Sequence, residues 1–390
     1  MNRDLSLDIL RGLMLIIMAS DHFGEPIFQH LYEFPGYVSA AEGFVFLSGM
    51  LVSLVYGRYY TANGFALEKR VWHRAGVIYL YHLIVLLAVF AFSMATELSG
   101  AYWKSFATEM QTEPARALLS GIALTYQAPM LDVLPMYVAF MLVAPLALRW
   151  MMQYRTTGVA MVLSGSVGLW VASQYGVGRA AVELLPDALL LRSGAFDWFA
   201  WQLVFVLGMV LGFLRAESKG TAPRVNGWLF VLSVGAIAYL YMQRHGQIHA
   251  EWSPLFAWLM EYPHIHRDYM GWLRLLNFLA FVYAAAMLIH WHKRFGIFTW
   301  LTLPGRWLAF LGQHSLQVFA FHMVVLYCYI PFRWGDWALS DTQKWFAWGI
   351  FMASLSIPAW WHARYLMAKK AARTVPTNRI PALQYVPSGA

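Results

Sequence analysis

Ten apolar stretches, each about long enough to cross a bilayer, limit what this 390-residue chain can fold into. Sixty per cent of its residues are hydrophobic and only 12% are charged, against roughly a quarter charged in soluble domains. The sequence therefore predicts an all-α polytopic integral membrane protein with about ten transmembrane helices. The predicted spans are 7–28, 37–57, 75–95, 133–152, 157–174, 196–214, 226–243, 272–290, 307–328 and 345–365.

The distribution of positive charge predicts the orientation of the chain. With the N-terminus in the cytoplasm, 19 of the 28 lysines and arginines fall on the inner side and 9 on the outer side. Since inner loops of membrane proteins are enriched in these residues, both termini are predicted to be cytoplasmic. The formal net charge of +8 then follows from topology, and no nucleic-acid partner is predicted.

The sequence suggests one domain. Residues 1–368 form the predicted membrane domain, and 369–390 form a cytoplasmic C-terminal tail. The stretch 116–128 is too short to span and is predicted to be an interfacial or re-entrant helix. The first span lacks a small-residue cleavage site and is not a cleavable signal. The single cysteine excludes a disulfide framework, and no HExxH spacing or carboxylate cluster indicates a metal site.

Ionisable side chains inside a membrane span are costly and are functional candidates by default. The first span carries Asp21 and His22 near its outer end, and Arg11 lies eleven residues before His22. That spacing places Arg11 and His22 on one helix face, about 20° apart in angle and about 16 Å apart in rise. His22, with an unperturbed pKa of about 6.5, suits a general base whose ring is oriented by Asp21 or another acid. The same residues also fit a packing network between helices.

The second span, the segment just before the third span and the ninth span add candidates. Glu42 lies early in the second span, where it is a partner for His22 or part of a helix-packing seam of small residues. Arg70 and Arg74, four residues apart, share one helix face at the inner surface. Two guanidinium groups suit a multiply charged phosphate ligand, although lipid anchoring explains them as well. In the ninth span, His322 is either a catalytic residue or a buried histidine with a structural role.

Five motifs follow one another along nearly the whole chain. They are "LDILRG" at 7–12, "SDH" at 20–22, "AAEGFVFLSGMLVSLVYG" at 40–57, "FDWFAWQLVFVLGMVLG" at 196–212 and "LGQHSLQVFAFH" at 311–322. In this order they resemble the OpgC family, within the integral-membrane acyltransferases of the acyltransferase-3 type. One departure is that "HRAGVIYLYH" lacks the proline that the wider class usually shows after its basic pair.

The resemblance implies ten spanning helices and O-acylation of a glycan outside the bacterial cytoplasmic (inner) membrane. The named member of the family succinylates osmoregulated periplasmic glucans, with acyl-CoA from the cytoplasm as donor. Carried onto this chain, the functional motifs fall on residues of the first, second and ninth spans and on the segment just before the third span. These residues are Arg11, Asp21 and His22; Glu42 with Phe46, Leu47, Ser48 and Gly49; Arg70 and Arg74; and Ser315, Leu316, Val318 and His322.

The sequence thus favours a membrane O-acyltransferase. In this interpretation Arg11, Arg70 and Arg74 hold the phosphate-rich head of acyl-CoA, His22 deprotonates a sugar hydroxyl, and no metal takes part. A succinyl donor would need a cation for its free carboxylate, and the sequence leaves that residue open among five arginines on the outer side. These are Arg179, Arg192, Arg244, Arg267 and Arg274. The alternative is a proton-coupled secondary transporter or exporter, because intramembrane acids and histidines also form proton relays. The oligomeric state is left open.

Overall fold

The structure, a computed structural model, describes most of the chain, and that part consists of helices joined by turns and loops. The described residues are 4–33, 36–95, 108–178, 180, 184, 189–190, 194–218, 226–246, 258, 262–296, 302–334 and 338–374. Fifteen α-helices lie within these ranges. They are α1 (Leu5–Phe23), α2 (Phe28–Leu31), α3 (Ala40–Tyr56), α4 (Ala66–Ala95), α5 (Thr108–Thr112), α6 (Pro114–Ile122), α7 (Val133–Gln174), α8 (Trp198–Glu217), α9 (Gly227–Arg244), α10 (Tyr262–Ile265), α11 (Trp272–Phe295), α12 (Thr302–Gln313), α13 (Ser315–Trp334), α14 (Asp341–Ser354) and α15 (Ser356–Thr374).

Several of these helices are long and apolar enough to cross a membrane. In the described part of the chain these are α3, α4, α7, α8 and α11, and a sixth span results if α12 and α13, bent by 87° at their junction, count as one. The helix α1 is not among them because it carries three charged residues, Asp8, Arg11 and Asp21. The protein is therefore a multi-pass membrane protein, while ten spans and cytoplasmic termini stay predictions.

Helices lie on all ten predicted segments, with some differences in their limits. The fourth and fifth segments are joined in α7, which is interrupted where Arg155 adopts a non-helical φ of 50°. The predicted interfacial segment contains the short helix α6, which packs against α4. There His82 contacts the carbonyl oxygen of Gly121 at 3.0 Å, which gives this buried histidine a structural partner. The helix α15 continues past the predicted domain boundary at 368, and the rest of the tail lies outside the described residues.

The helix α1 packs closely against α12, and this contact positions the candidate site. A Cβ atom built on Gly312 of α12 would lie 1.9 Å from the carbonyl oxygen of Asp8, whereas ordinary contacts begin at 3.4 Å. Only glycine therefore permits this approach. The same contact brings the amide of Gln313 within 3.3 Å of the Asp8 carboxylate. Because α13 begins directly after this junction, its first turns lie alongside α1.

The start of α1 is tied to two other helices through Asp4. Its carboxylate accepts a hydrogen bond from the backbone N–H of Ser6 at 3.0 Å, which caps α1. It also forms ion pairs with Arg215 at the end of α8 and with Lys293, 3.3 Å away, at the end of α11. Burial opposes ionisation of Asp4, but the two cations and the capping hydrogen bond outweigh it and lower its pKa. Asp4 thus fixes α1 at the end that carries Arg11.

Candidate active site

Two histidines from different helices meet at the end of α1. The Nδ1 atom of His22 lies 3.3 Å from the Nε2 atom of His322 on α13. The rings are nearly coplanar, with an interplanar angle of 9° and centroids 5.5 Å apart. Since the centroid separation exceeds the N–N distance by about the radii of the two rings, the rings meet edge to edge. This geometry suits one hydrogen bond between neutral imidazoles.

His22 borders a cavity of about 480 Å³, which we call the histidine cavity. His322 lies behind it and is only 1% exposed. The cavity is lined by charged and polar residues of α1 and the loop that follows it, together with residues of α2, α13, α14 and the loop before α7. Its lining residues are Asp21, His22, Glu25, Phe28, Met130, Arg333 and Lys344. The structure thus places Asp21 on the same cavity as His22.

A second, smaller cavity lies at the other end of the α1–α13 contact, and we call it the arginine cavity. Arg11 and Arg74 both line it, with Ser315 and several apolar residues. The Nη2 atom of Arg11 donates a hydrogen bond to the Ser315 hydroxyl at 2.5 Å. The arginine cavity has a volume of about 10 Å³, enough for one water molecule, and is therefore nearly closed.

Two phenylalanines separate the arginine cavity from the histidine pair. Phe44 and Phe319 both line the arginine cavity, and their rings stack with centroids 6.1 Å apart. The rings of Phe319 and His322 form a T-shaped contact with centroids 4.8 Å apart. The two cavities share no lining residue. A chain of side-chain contacts therefore runs from the arginines through Phe319 to the histidine pair.

Glu42, one of the two acids considered as a partner for His22, is engaged by other residues in the structure. Its Oε1 atom accepts from Nε of Arg274 at 2.5 Å. Its Oε2 atom accepts from the backbone N–H and the hydroxyl of Ser39, at 3.0 and 2.6 Å. Arg274 also donates to Glu33 at 2.7 Å. Both carboxylate oxygens of Glu42 are thus engaged in a buried ionic cluster, so any influence of Glu42 on His22 would be indirect.

Arg70 and Arg74 also separate in the structure, although they share a helix face. The guanidinium of Arg70 lies 4.0 Å from the ring centroid of Tyr59, in the short 3₁₀ turn Gly57–Tyr59 after α3. Arg70 is exposed there, while Arg74 is half-buried against the arginine cavity. Of the three arginines predicted to bind phosphate, the structure brings together Arg11 and Arg74.

Arg333 and Lys344 line the histidine cavity, although no sequence motif singled them out. The Nη1 atom of Arg333 donates to the backbone carbonyl of His22 at 3.2 Å. A signal for Arg333 was present, because it follows His322 by eleven residues, the spacing that also relates His22 to Arg11. Residues eleven apart lie on one face of a helix. Lys344 lies on α14, and no spacing in the sequence relates it to the candidate residues of α1 or α13.

Fold and site together define a multi-pass membrane protein with a histidine pair between two cavities. The sequence model of the family described as OpgC protein matches residues 3–370, nearly the whole chain. The chain belongs to the OpgC family, which points to a membrane acyltransferase that modifies glucans. The search of curated proteins found no match. The search of solved structures found none either.

Proposed function

We propose that this protein moves an acyl group, specifically succinyl, from cytoplasmic acyl-CoA to hydroxyl groups of a periplasmic glycan. It would work in the bacterial inner membrane, with the arginine cavity toward the cytoplasm and the histidine cavity toward the periplasm. The observation that carries the proposal is the histidine pair, which borders a 480 Å³ cavity on one side and contacts the wall of the arginine cavity on the other.

We assign one arrangement of protons to the histidine pair, in which the His322 ring carries its proton on Nδ1 and its Nε2 atom faces Nδ1 of His22. The Nε2 atom of His322 then carries a lone pair and accepts the Nδ1 proton of His22. His22 is left with an unprotonated Nε2 atom. His322 thus acts as a positioning residue that holds His22 in the tautomer of a general base.

The proposed transfer consumes one thioester and one hydroxyl and produces one ester and one thiol. The Nε2 atom of His22 takes the proton of a sugar hydroxyl in the histidine cavity. The sugar oxygen attacks the thioester carbonyl, the C–S bond breaks, and the proton passes to the departing CoA thiolate. Direct transfer is the simplest sequence of steps. Asp21, which lines the same cavity, is an acceptor for a further sugar hydroxyl.

The arginine cavity fits the charge of the donor but not its size. Arg11 and Arg74 provide guanidinium groups suited to phosphate oxygens. The present volume of about 10 Å³ admits no pantetheine arm, so donor binding requires Phe44 and Phe319 to move apart. The CoA head would then stay at the cytoplasmic surface while its thioester reaches the histidine pair.

The transporter alternative receives less support from this geometry. Secondary transporters bind substrate near the bilayer midplane, between repeated halves. Here the larger cavity lies at the end of α1, and the smaller cavity has room for one water molecule. An apolar contact between Phe44 and Phe319 also interrupts a relay of titratable groups between the cavities.

The proposal is tested with purified protein in lipid vesicles, supplied with labelled succinyl-CoA and a glucan oligosaccharide. Mass spectrometry of the glucan reports acylation. His22→Ala is expected to lower the rate by about 10²–10⁴-fold, the usual contribution of a general base. His245→Ala, at an exposed histidine after α9, is the matched control. Near-normal acylation by a folded His22→Ala variant would remove His22 from the mechanism. Absence of acylation by the unmodified protein would refute the proposed function.

A further inference from the structure

We infer that Arg333, together with Lys344, binds the free carboxylate of the transferred acyl group and thereby selects a dicarboxylic donor. The inference rests on the proposed acyl transfer at the same site. It adds the residues that distinguish a charged acyl group from an uncharged one. Both side chains line the histidine cavity beside His22.

The backbone near His22 is shaped around the Arg333 guanidinium. Arg333 donates to the carbonyl oxygen of His22, and its guanidinium packs against Gly24 directly after α1. A Cβ atom at position 24 would lie 2.0 Å from the Cζ atom of Arg333. Gly24 also has a φ of 92°, which residues with side chains rarely adopt. Because residue 24 has no side chain, the Arg333 guanidinium can pack against the backbone two residues after His22, the proposed base.

The charges around the histidine cavity are arranged by element. Asp21 contributes a carboxylate from the end of α1 and Glu25 one from the loop after it, while Arg333 and Lys344 contribute cations from α13 and α14. Glu25 is exposed and interacts with Arg333 through space. Lys344 contacts Asp341 at 3.3 Å, but the Asp341 side chain is 77% exposed. Such an exposed pair is weak and can exchange for a buried anion.

These two kinds of charge suit two different ligands. Carboxylates accept hydrogen bonds from neutral sugar hydroxyls, whereas a guanidinium binds a carboxylate through paired N–H donors. A succinyl group carries its carboxylate two methylenes from the reacting carbonyl. Binding that carboxylate at Arg333 would hold the carbonyl beside His22. The carboxylate itself stays ionised and forms no covalent bond.

The arginines considered from the sequence are less suited to this task. Arg274 is 1% exposed and is engaged by Glu42 and Glu33. Arg244 contacts the same Glu33 at 3.3 Å. Arg267 lies over the ring of Phe196, with centroid and guanidinium 5.6 Å apart, and its charge acts on His22 from outside the cavity lining. None of these three lines the histidine cavity. The remaining two candidates, Arg179 and Arg192, lie outside the described residues.

The test compares two donors of equal carbon number, succinyl-CoA and butyryl-CoA, which differ in the terminal carboxylate. For each donor, kcat/KM is measured with the full-length protein in vesicles. Arg333→Gln is expected to lower kcat/KM for succinyl-CoA by about 10- to 100-fold, the range of a charge-assisted hydrogen bond, and to leave butyryl transfer within about threefold. Arg333→Lys should recover part of the loss. Arg116→Gln, which removes an exposed cation paired with Glu113 on α6, is the matched control.

The outcomes separate this inference from the proposed function. If the unmodified protein uses neither donor, the proposed function fails and the inference fails with it. If it acylates glucan but Arg333→Gln lowers both donors in parallel, the proposed function stands and the inference is overturned. If the Arg333→Gln variant does not fold, the same comparison of the two donors is made with Lys344→Gln. A selective loss with succinyl-CoA supports the inference, and an unchanged donor preference overturns it.

Discussion

The buried cluster of Glu42, Arg274 and Glu33 predicts that Glu42 stabilises the fold rather than taking part in proton transfer. The Arg274 side chain is 1% exposed and that of Glu42 is 0% exposed, and Arg274 donates to both acids. Glu42→Gln would place an uncharged amide group against Arg274. The positive charge of Arg274 would then be paired with Glu33 alone. Removing one partner of a buried pair typically costs 3–5 kcal/mol. Because Glu33 remains, we expect a loss of about 3 kcal/mol in the free energy of unfolding.

The measurement is a double-mutant cycle with Glu42→Leu, Arg274→Met and the double variant. Unfolding is followed in detergent micelles by tryptophan fluorescence, and acylation is expressed per folded molecule. Each single variant should be strongly destabilised. The double variant should recover part of the loss, because replacing a buried pair with apolar residues is often close to neutral. The recovery is incomplete because Glu33 also loses Arg274 and keeps only Arg244, 3.3 Å away. The coupling free energy is then expected at about 1–3 kcal/mol.

The same experiment can refute this reasoning. A Glu42→Gln protein with unchanged stability and abolished acylation would show that Glu42 acts in the chemistry, as the sequence alone allowed. Single and double variants with additive losses would show that the contact at 2.5 Å carries no coupling. Ser39→Ala is a control for the capping contribution, since Ser39 donates to the other carboxylate oxygen.

Three further predictions concern the helices that position the site. His322→Leu should lower acylation by about 10²-fold or more, while His322→Gln, whose amide oxygen can accept from His22, should retain more of it; equal losses would contradict a positioning role. Gly312→Ala should separate α1 from α12 and lower the melting temperature, and a fully stable variant would show that the contact yields easily. Asp4→Asn should cost about 1 kcal/mol at pH 7. Because the folded pKa of Asp4 lies below 3.8, this difference should persist at neutral pH and vanish as the pH falls through that lowered pKa, and a difference unchanged with pH would refute the ionic role.

Patterns along one helix could be predicted well from the sequence. The eleven-residue spacing placed Arg11 and His22 on one face, and in the structure both contact α13, at Ser315 and at His322. Those two partners are seven residues apart, which is again one face of a helix. The break in α7 at Arg155 likewise falls in the polar gap between two predicted spans.

Partners from distant segments could not be predicted from periodicity. Glu42 and Arg274 are 232 residues apart, and their pairing depends on how α3 and α11 come together. Arg70 shows the same limit on a smaller scale. The helix face of Arg70 was predicted. Its guanidinium, however, lies over the ring of Tyr59, in the turn before α4, and does not line the arginine cavity with Arg74.

The stacked pair of Phe44 and Phe319 has a consequence for the cell as well as for the reaction. Catalysis from one aqueous compartment to the other requires a passage, and an open passage would dissipate the proton gradient. In the proposed function, these two buried rings, with centroids 6.1 Å apart, would close that passage to ions while no donor is bound. In the proposed cycle, the passage opens only when the acyl chain fills it. The donor would then both supply the acyl group and block the passage to protons. Replacing Phe319 with a small residue would be expected to let protons leak across the bilayer.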